Sequence, residues 1–428
     1  MTRYEKSLAW LKIAESIIPL GSQTFSKSYT QYPRGVSPHF AEKAKGSYIW
    51  DIDGNEYVDL VNSLAAITLG YCDKGLDKAV KRQLRNGVIF SLPGKLEYEV
   101  AEKITNLVPS AEMVRFAKNG TDATSGAVRL ARAYTGRDHV ALCGYHGWQD
   151  WSIGVTSRNK GIPSQTSEFS HNFRYNNIES LVSIFDEFPG QVAAVIMEPM
   201  NVEYPKDGFL EKVRELTKRN GAVLIFDETI TGFRFSEGGA QEELGVVPDL
   251  TTLGKGIANG FPLSAVVGKK EIMKEMNEVF FSGTFGGELL SLTAANYVLN
   301  LHLEGKIVNK LKSLGSKLAL EVEDLTRNFS IENFLKLSGH PTWKILQWSG
   351  NSEYTSDEIK TLFLQEMFSE GVLIIGSHNV STSLTRADIK KVLQAYENTL
   401  GKISIGIHTG NLREMLKVKP LEPLFKIR

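Results

Sequence analysis

"AVLIFDE" (222–228) sets five apolar residues directly before two carboxylates. An apolar run this short, bounded by charge and lacking helical spacing, reads as a fully buried strand. Four further runs read the same way: "MVRFAK" (113–118), "HVALCG" (139–144), "VAAVIMEP" (192–199) and "PLSAVVG" (262–268). Helix-like stretches lie between them. In "DATSGAVRLARAYTG" (122–136), Ala127, Leu130, Ala131 and Tyr134 share one helical face. Strands alternating with helices predict an α/β domain whose central sheet is mostly parallel and covered by helices.

Outside this middle region the pattern changes. "GSYIWDIDGNEYVDL" (46–60) carries Asp-Gly between two apolar runs, a hairpin signal. The N-terminus reads as an amphipathic helix with Leu8, Leu11, Ala14 and Ile18 at helical spacing, stopped by Pro19 and Gly21. "LSLTAANYVLNLHLEG" (290–305) reads as a long helix, followed by an α+β pattern. The expected organisation is therefore a large α/β domain over 61–300, with 1–60 packing against a smaller α+β domain formed by 301–428. The closing stretch "KVKPLEPLFKIR" (417–428) is basic and twice broken by proline, as a docked tail would be.

Composition excludes several classes. The chain has 428 residues, 42% of them hydrophobic, enough for one large core and a smaller one. Lys plus Arg and Asp plus Glu both number 49, so the balance suggests neither nucleic acid nor a membrane surface as partner. Cys72 and Cys143 stand in no metal or redox spacing, which fits a reducing cytoplasm. The eight histidines are scattered without a paired-ligand pattern, and no metal site is expected. Charges interrupt the first 21 residues, which read neither as a signal peptide nor as a membrane span.

Ligands of open α/β sheets bind at the carboxyl ends of the strands, and four features should gather there. Asp227 closes a buried strand, where a carboxylate needs a cation or hydrogen-bond donors to meet it. Lys255, between Gly254 and Gly256, becomes a neutral nucleophilic amine if partly desolvated. Asn119, Gly120 and Thr121 open a helix, whose free N–H groups and positive dipole end suit a phosphate. Tyr145 and His146 follow another strand end, where an aromatic ring can stack on a planar ligand. Each feature alone has a bland reading: a satisfied structural Asp, a turn lysine, a helix cap, a tyrosine on the sheet rim. Together they are what pyridoxal phosphate needs: a lysine for its Schiff base, an acid for its pyridinium, a nest for its phosphate. Dinucleotide binding fails, because no strand is followed by GxGxxG.

The motifs "WDIDGNEYVDL", "NGTDATSGAVRLARAYTGR", "YHGW", "IMEP", "LIFDETITGFR", "TTLGKGIANGFPLSAVVG" and "FSGTFGGELLSLTAA" span nearly the whole chain. In that order they resemble the class III, fold-type I, pyridoxal-phosphate-dependent aminotransferases, and within them the glutamate-1-semialdehyde 2,1-aminomutase branch. The resemblance implies Lys255 as Schiff-base lysine and proton shuttle, Asp227 at the pyridine nitrogen and Tyr145 on one ring face. It further implies Gly120 and Thr121 at the phosphate, and Glu198 in a supporting hydrogen-bonding role. Thr284 would reach the phosphate of the neighbouring subunit, which makes a homodimer the expected unit. Arg234 is expected to hold structure rather than substrate.

Three departures bear on the substrate. Thr229 stands where the family commonly has Val, and its hydroxyl is expected at the cofactor's second face. "PLGSQTFSKSY" (19–29) places Lys27 near the position of an arginine that grips substrate carboxylate in the aminomutase, and lysine lacks the bidentate fork. "GSHNVSTSL" (376–384) offers His378 and Asn379 where the aminomutase has a glutamate-bearing loop. The leading expectation is an aminotransferase that moves an amino group from a donor such as glutamate to an aldehyde or ketone of a polar, sugar-like acceptor. The alternatives are a 2,1-aminomutase, which moves the amine within one molecule, and more remotely a non-catalytic cofactor-binding relative.

Overall fold

The structure, a computed structural model, describes residues 3–422. The chain divides into two compact units, one holding residues up to Asp73 together with those from Lys310 onward, the other Lys74–Asn309. Both junctions lie beyond the expected boundaries at 60 and 300, for local reasons. Residues 61–73 stay with the first unit because Tyr71 pairs with Gly46 and its hydroxyl donates to Asp59. Residues 301–309 stay with the second because His302 and the Val308 N–H both bond Glu237.

In the first unit, a helix over Glu5–Ala14 buries Leu11 and Ala14 and ends before Pro19. Strands β1 (Ala41–Lys45), β2 (Tyr48–Asp51) and β3 (Glu56–Asp59) follow in antiparallel order. The predicted hairpin is β2–β3, and Gly54 takes the positive φ (89°) that its turn requires.

The second unit is built on seven strands: β4 (Met113–Ala117), β5 (His139–Cys143), β6 (Ser170–Asn172), β7 (Val192–Met197), β8 (Val223–Glu228), β9 (Leu250–Leu253) and β10 (Ser264–Gly268). Their order is β4-β10-β9-β8-β7-β5-β6. All run in one direction except β10, which is antiparallel to both neighbours. Every residue of β7, β8, β9 and β10 is buried. β4 is not fully buried as expected: it is an edge strand, and its residues alternate in exposure. β6 and β9 escape the apolar-run reading, β6 because it has three residues and β9 because Thr251 and Thr252 fill its middle.

Side chains of a strand alternate between faces, so β8 feeds two cores. On one face Val223 and Ile225 meet Ala127, Leu130 and Ala131 of the helix Gly120–Thr135. On the other, Leu224 and Phe226 meet Leu181, Phe185, Phe209 and Val213 of the helices Ile178–Glu187 and Phe209–Arg219. Tyr134, expected in the first core, is 45% exposed. It lies in the helix's last turn, just before Gly136 (φ 65°) breaks the helix away from the sheet.

The chain re-enters the first unit and adds β11 (Leu335–Ser338), β12 (Trp343–Trp348), β13 (Val372–Leu373) and β14 (Ser377–Asn379). β13 pairs in parallel with β3, which joins the two ends of the chain in one sheet, while β11, β12 and β14 form a second. In the tail, the N–H groups of Lys417 and Leu421 donate to Gln365 and Thr361 of this unit; residues 423–428 lie outside the described part. Among the described residues no helix is long and apolar enough to cross a membrane.

Candidate active site

Strands β4, β5, β7, β8 and β9 end on the same edge of the second unit's sheet, and at each end stands a residue singled out from the sequence. Gly120 follows β4, His146 follows β5, Glu198 follows β7, Asp227 lies at the end of β8, and Lys255 follows β9.

Asp227 is 6% exposed and surrounded by donors. Its Oδ1 accepts from the Thr229 hydroxyl (2.6 Å), the Thr252 hydroxyl (3.0 Å) and the Thr229 N–H (3.1 Å). Its Oδ2 meets Nδ1 of His146 at 2.9 Å. Burial pushes the carboxyl upward, but the bond and charge of His146 and the Thr229 bonds outweigh it. The group is held below the ordinary carboxylate range and is ionised. His146 is itself buried, and its Nε2 faces the Cys143 carbonyl at 3.1 Å, so the ring is clamped at both nitrogens.

Lys255 sits in the left-handed region (φ 42°), a strained backbone for a side-chain-bearing residue. Gly254 before it packs closely: a Cβ there would come within 3.1 Å of the Thr229 methyl, which would have to give by a few tenths of an ångström. Burial lowers the Lys255 pKa by more than Glu198 and Asp227 raise it, and nearby Arg234 lowers it further. Among the described residues Nζ forms no hydrogen bond, so the amine is available to react. Arg234 is 2% exposed, in keeping with a role in holding structure.

Glu198 is pushed up to about 7 by burial and by the Asp227 charge, against the opposing pull of His146, Lys255 and a hydrogen bond from Asn201 Nδ2 (3.0 Å). The Thr229 hydroxyl is bonded to Asp227, and its methyl lies against the backbones of Gly120 and Gly254.

Gly120 and Thr121 begin a helix of 16 residues, and Thr121 Oγ1 is buried without a partner. Asn119 caps that helix: its N–H donates to Asp122 Oδ2 (2.7 Å) and its carbonyl accepts from Ser264 (2.7 Å). Tyr145 is 47% exposed, and Gly147 must be glycine because a Cβ would strike Thr121 Oγ1 at 2.4 Å. Thr284 is exposed, between Phe280 (85% exposed) and Phe285 (58%).

The three residues expected at substrate belong to the first unit. Lys27 is exposed and donates to Ser63 Oγ at 3.3 Å. His378 is fully buried, its Nε2 bonds the Tyr396 hydroxyl at 2.7 Å, and burial lowers its pKa to about 3. Asn379 donates to the Val61 carbonyl (2.8 Å) and accepts at its own carbonyl from Asn62. His378 thus bonds a side chain of its own unit through one ring nitrogen, and Asn379 bonds that unit's backbone. Two further residues went unread in the sequence. Thr252 stands directly opposite Asp227 in the β8–β9 ladder, and Asn201, three residues after Glu198, donates to its carboxylate.

Known proteins share both the sequence and the fold. The pattern of the family "Aminotransferase class-III" matches residues 31–391. A glutamate-1-semialdehyde 2,1-aminomutase from Natranaerobius thermophilus is 35% identical over 427 residues, covering 94% of this chain and 99% of the relative. A 3-aminobutyryl-CoA aminotransferase from Cloacimonas acidaminovorans is 32% identical over 408 residues, covering 93% and 97%. Among solved structures, the PLP internal aldimine form of the Sphingopyxis sp. MTA144 FumI protein superposes with a TM-score of 0.87 at 26% identity, covering 97% of this chain and 99% of that one. An omega-transaminase from Sphaerobacter thermophilus gives 0.85 at 27% identity, covering 93% and 97%. By sequence and by fold, the chain belongs to the class III aminotransferases of fold-type I.

Proposed function

We propose that this chain is a pyridoxal-phosphate-dependent aminotransferase that takes an amino group from an amino donor, glutamate first among the candidates, and delivers it to an aldehyde or ketone in two half-reactions. The observation that carries the reading is Lys255, desolvated and unbonded, within electrostatic reach of an ionised Asp227 at the carboxyl edge of the sheet.

The residues present fit the cofactor. The N–H groups of Gly120 and Thr121, with the partnerless Thr121 hydroxyl, would hold its phosphate. Asp227 would hold its ring nitrogen, with His146 and Thr252 fixing the carboxylate from behind. Tyr145 would cover a ring face, and Thr284 would reach the phosphate in a second copy of the chain. The exposed Phe280 and Phe285 beside Thr284 favour such a homodimer. When bound, the cofactor supplies an electron-withdrawing ring that acidifies the carbon bearing the amine.

Within that site Lys255 Nζ, whose desolvation favours the neutral form, would condense with a carbonyl carbon with loss of water and would move a proton between the two carbons that flank the transferred nitrogen. Asp227 stays ionised and keeps a proton on the atom it faces. Glu198, near neutrality, offers a carboxyl that gains or loses a proton as the charge on Lys255 changes. The sugar-like acceptor rested on Lys27, Thr229 and the 376–384 loop. With Thr229, His378 and Asn379 bonded internally, the acceptor is proposed only as an aldehyde or ketone.

A second reading, the 2,1-aminomutase, is favoured by the 35% identity to that enzyme over nearly the whole chain. One experiment separates the two. The purified holoenzyme is mixed with a donor panel, including glutamate and 3-aminobutyryl-CoA, and its visible absorbance is followed. Loss of the lysine-bound cofactor band with stoichiometric release of the keto product supports the aminotransferase. No conversion by any donor, with isomerisation of glutamate-1-semialdehyde, supports the mutase and overturns the first reading.

A further inference from the structure

A carboxylate offers about four lone-pair sites, two on each oxygen. At Asp227 these are unevenly filled. Oδ1 faces three donors, the Thr229 hydroxyl, the Thr252 hydroxyl and the Thr229 N–H, one more than its capacity. Oδ2 faces one, Nδ1 of His146.

We propose that Thr229 and Thr252 are positioning residues, whose hydroxyls saturate Oδ1 of Asp227 and leave Oδ2 as the oxygen that accepts the cofactor's ring N–H. The proposal rests on the reading of the site given above.

Three features fix the arrangement. The Thr229 side chain cannot turn freely, because its methyl lies between two glycines at which a Cβ would approach it to 3.1 Å, Gly120 and Gly254. A β-branched residue wedged in this way keeps one rotamer, and that rotamer points its hydroxyl at Oδ1. Thr252 is the direct ladder partner of Asp227, so its hydroxyl is held at the carboxylate by the sheet. On the other side His146 is anchored through the Cys143 carbonyl and prevents the carboxylate from swinging. The two threonines therefore do more than neutralise a buried charge. They set the plane of the carboxylate, and by drawing electron density toward Oδ1 they weaken the pull of Oδ2 on the proton it receives. That proton then stays on the ring nitrogen, where it is needed.

Valine is nearly isosteric with threonine and removes only the hydroxyl; serine keeps it. The test is the nitrogen-15 resonance of ring-labelled pyridoxal phosphate in the holoenzymes of wild type, Thr229→Val, Thr229→Ser and Asp227→Ala. The expected result is a resonance displaced toward that of a neutral pyridine in Thr229→Val and returned to the wild-type position in Thr229→Ser. The half-reaction with donor should slow about three- to tenfold in Thr229→Val, the effect of one hydrogen bond. Thr252→Val and Thr252→Ser carry the same contrast and decide the matter if a Thr229 variant does not fold. A resonance that responds to Asp227→Ala but is identical in wild type and all four threonine variants overturns the proposal alone. A resonance that ignores Asp227→Ala, or a wild-type protein that takes up no cofactor, overturns the reading of the site and the proposal with it.

Discussion

Asp227 and Glu228 are adjacent on β8, both almost fully buried, and point to opposite faces of the sheet. Glu228 is complete. Its Oε2 accepts from Thr231 and from the Ala240 N–H, and its Oε1 accepts from the N–H and the side-chain amide of Gln241. Four donors fill four sites, and Gly239 must lack a Cβ to let the loop close over it. Burial raises the Glu228 pKa despite those bonds. Asp227 also meets four donors, yet they crowd one oxygen and leave capacity on the other, beside an unbonded lysine. Burial and a shifted pKa therefore do not separate a working carboxylate from a structural one. Unfilled acceptor capacity at the carboxyl edge of the sheet does.

Lys255→Ala is the harshest test of that contrast, because it removes the partner that makes the edge reactive. Turnover and the visible band of the lysine-bound cofactor should both vanish. Full activity in that variant would break the account. The two carboxylates should then part company. Asp227→Ala should lower kcat on the order of 10²–10³-fold, the scale of a lost charge-stabilising group, with a much smaller loss of cofactor affinity. Glu228→Ala should act on folding instead, since each donor left unpaired costs about 1–3 kcal/mol, and denaturant midpoints measure it. If Glu228→Ala folded like wild type and lost activity like Asp227→Ala, the contrast would fail.

Glu198 gives a pH test. Its folded pKa, about 7, is above its ordinary value of 4.5, so the stability it contributes is present at low pH and lost as pH rises through that window. Apoprotein melting should therefore find Glu198→Gln close to wild type at pH 4.5 and more stable at pH 8; the opposite trend would mean the carboxyl is not desolvated. Asp227 has the reverse sign, contributing stability that is lost on acidification. The smallest effect belongs to the first unit. Tyr396→Phe removes the bond to His378 and should cost about 1 kcal/mol without changing kcat. A large kinetic effect there would instead mark His378 as a substrate contact.

The sequence made the fold class and the site's main groups readable, for physical reasons. Strands covered on both faces are continuous apolar runs, and β5, β7, β8 and β10 announce themselves that way. β9 does not, because its middle residues are threonines, and with it the link between Asp227 and Thr252 was hidden. Ladder register brings those two together, and register is not written in either segment alone. Thr229 shows the opposite difficulty. Its departure from the family's usual Val was visible, but the direction of its hydroxyl depended on two glycines from distant segments, Gly120 and Gly254. For His378 and Asn379 the hydrogen-bond partners were hidden, because Tyr396, Val61 and Asn62 lie in other segments of the chain.

The central claim is that Lys255 is the residue that carries the cofactor. Borohydride reduction of the holoenzyme followed by peptide mass spectrometry tests it without any knowledge of the substrate. The account predicts one pyridoxyl group per chain, on the peptide containing Lys255 and on no other. A pyridoxyl group on a different lysine, or none on a protein that retains the cofactor, would contradict it.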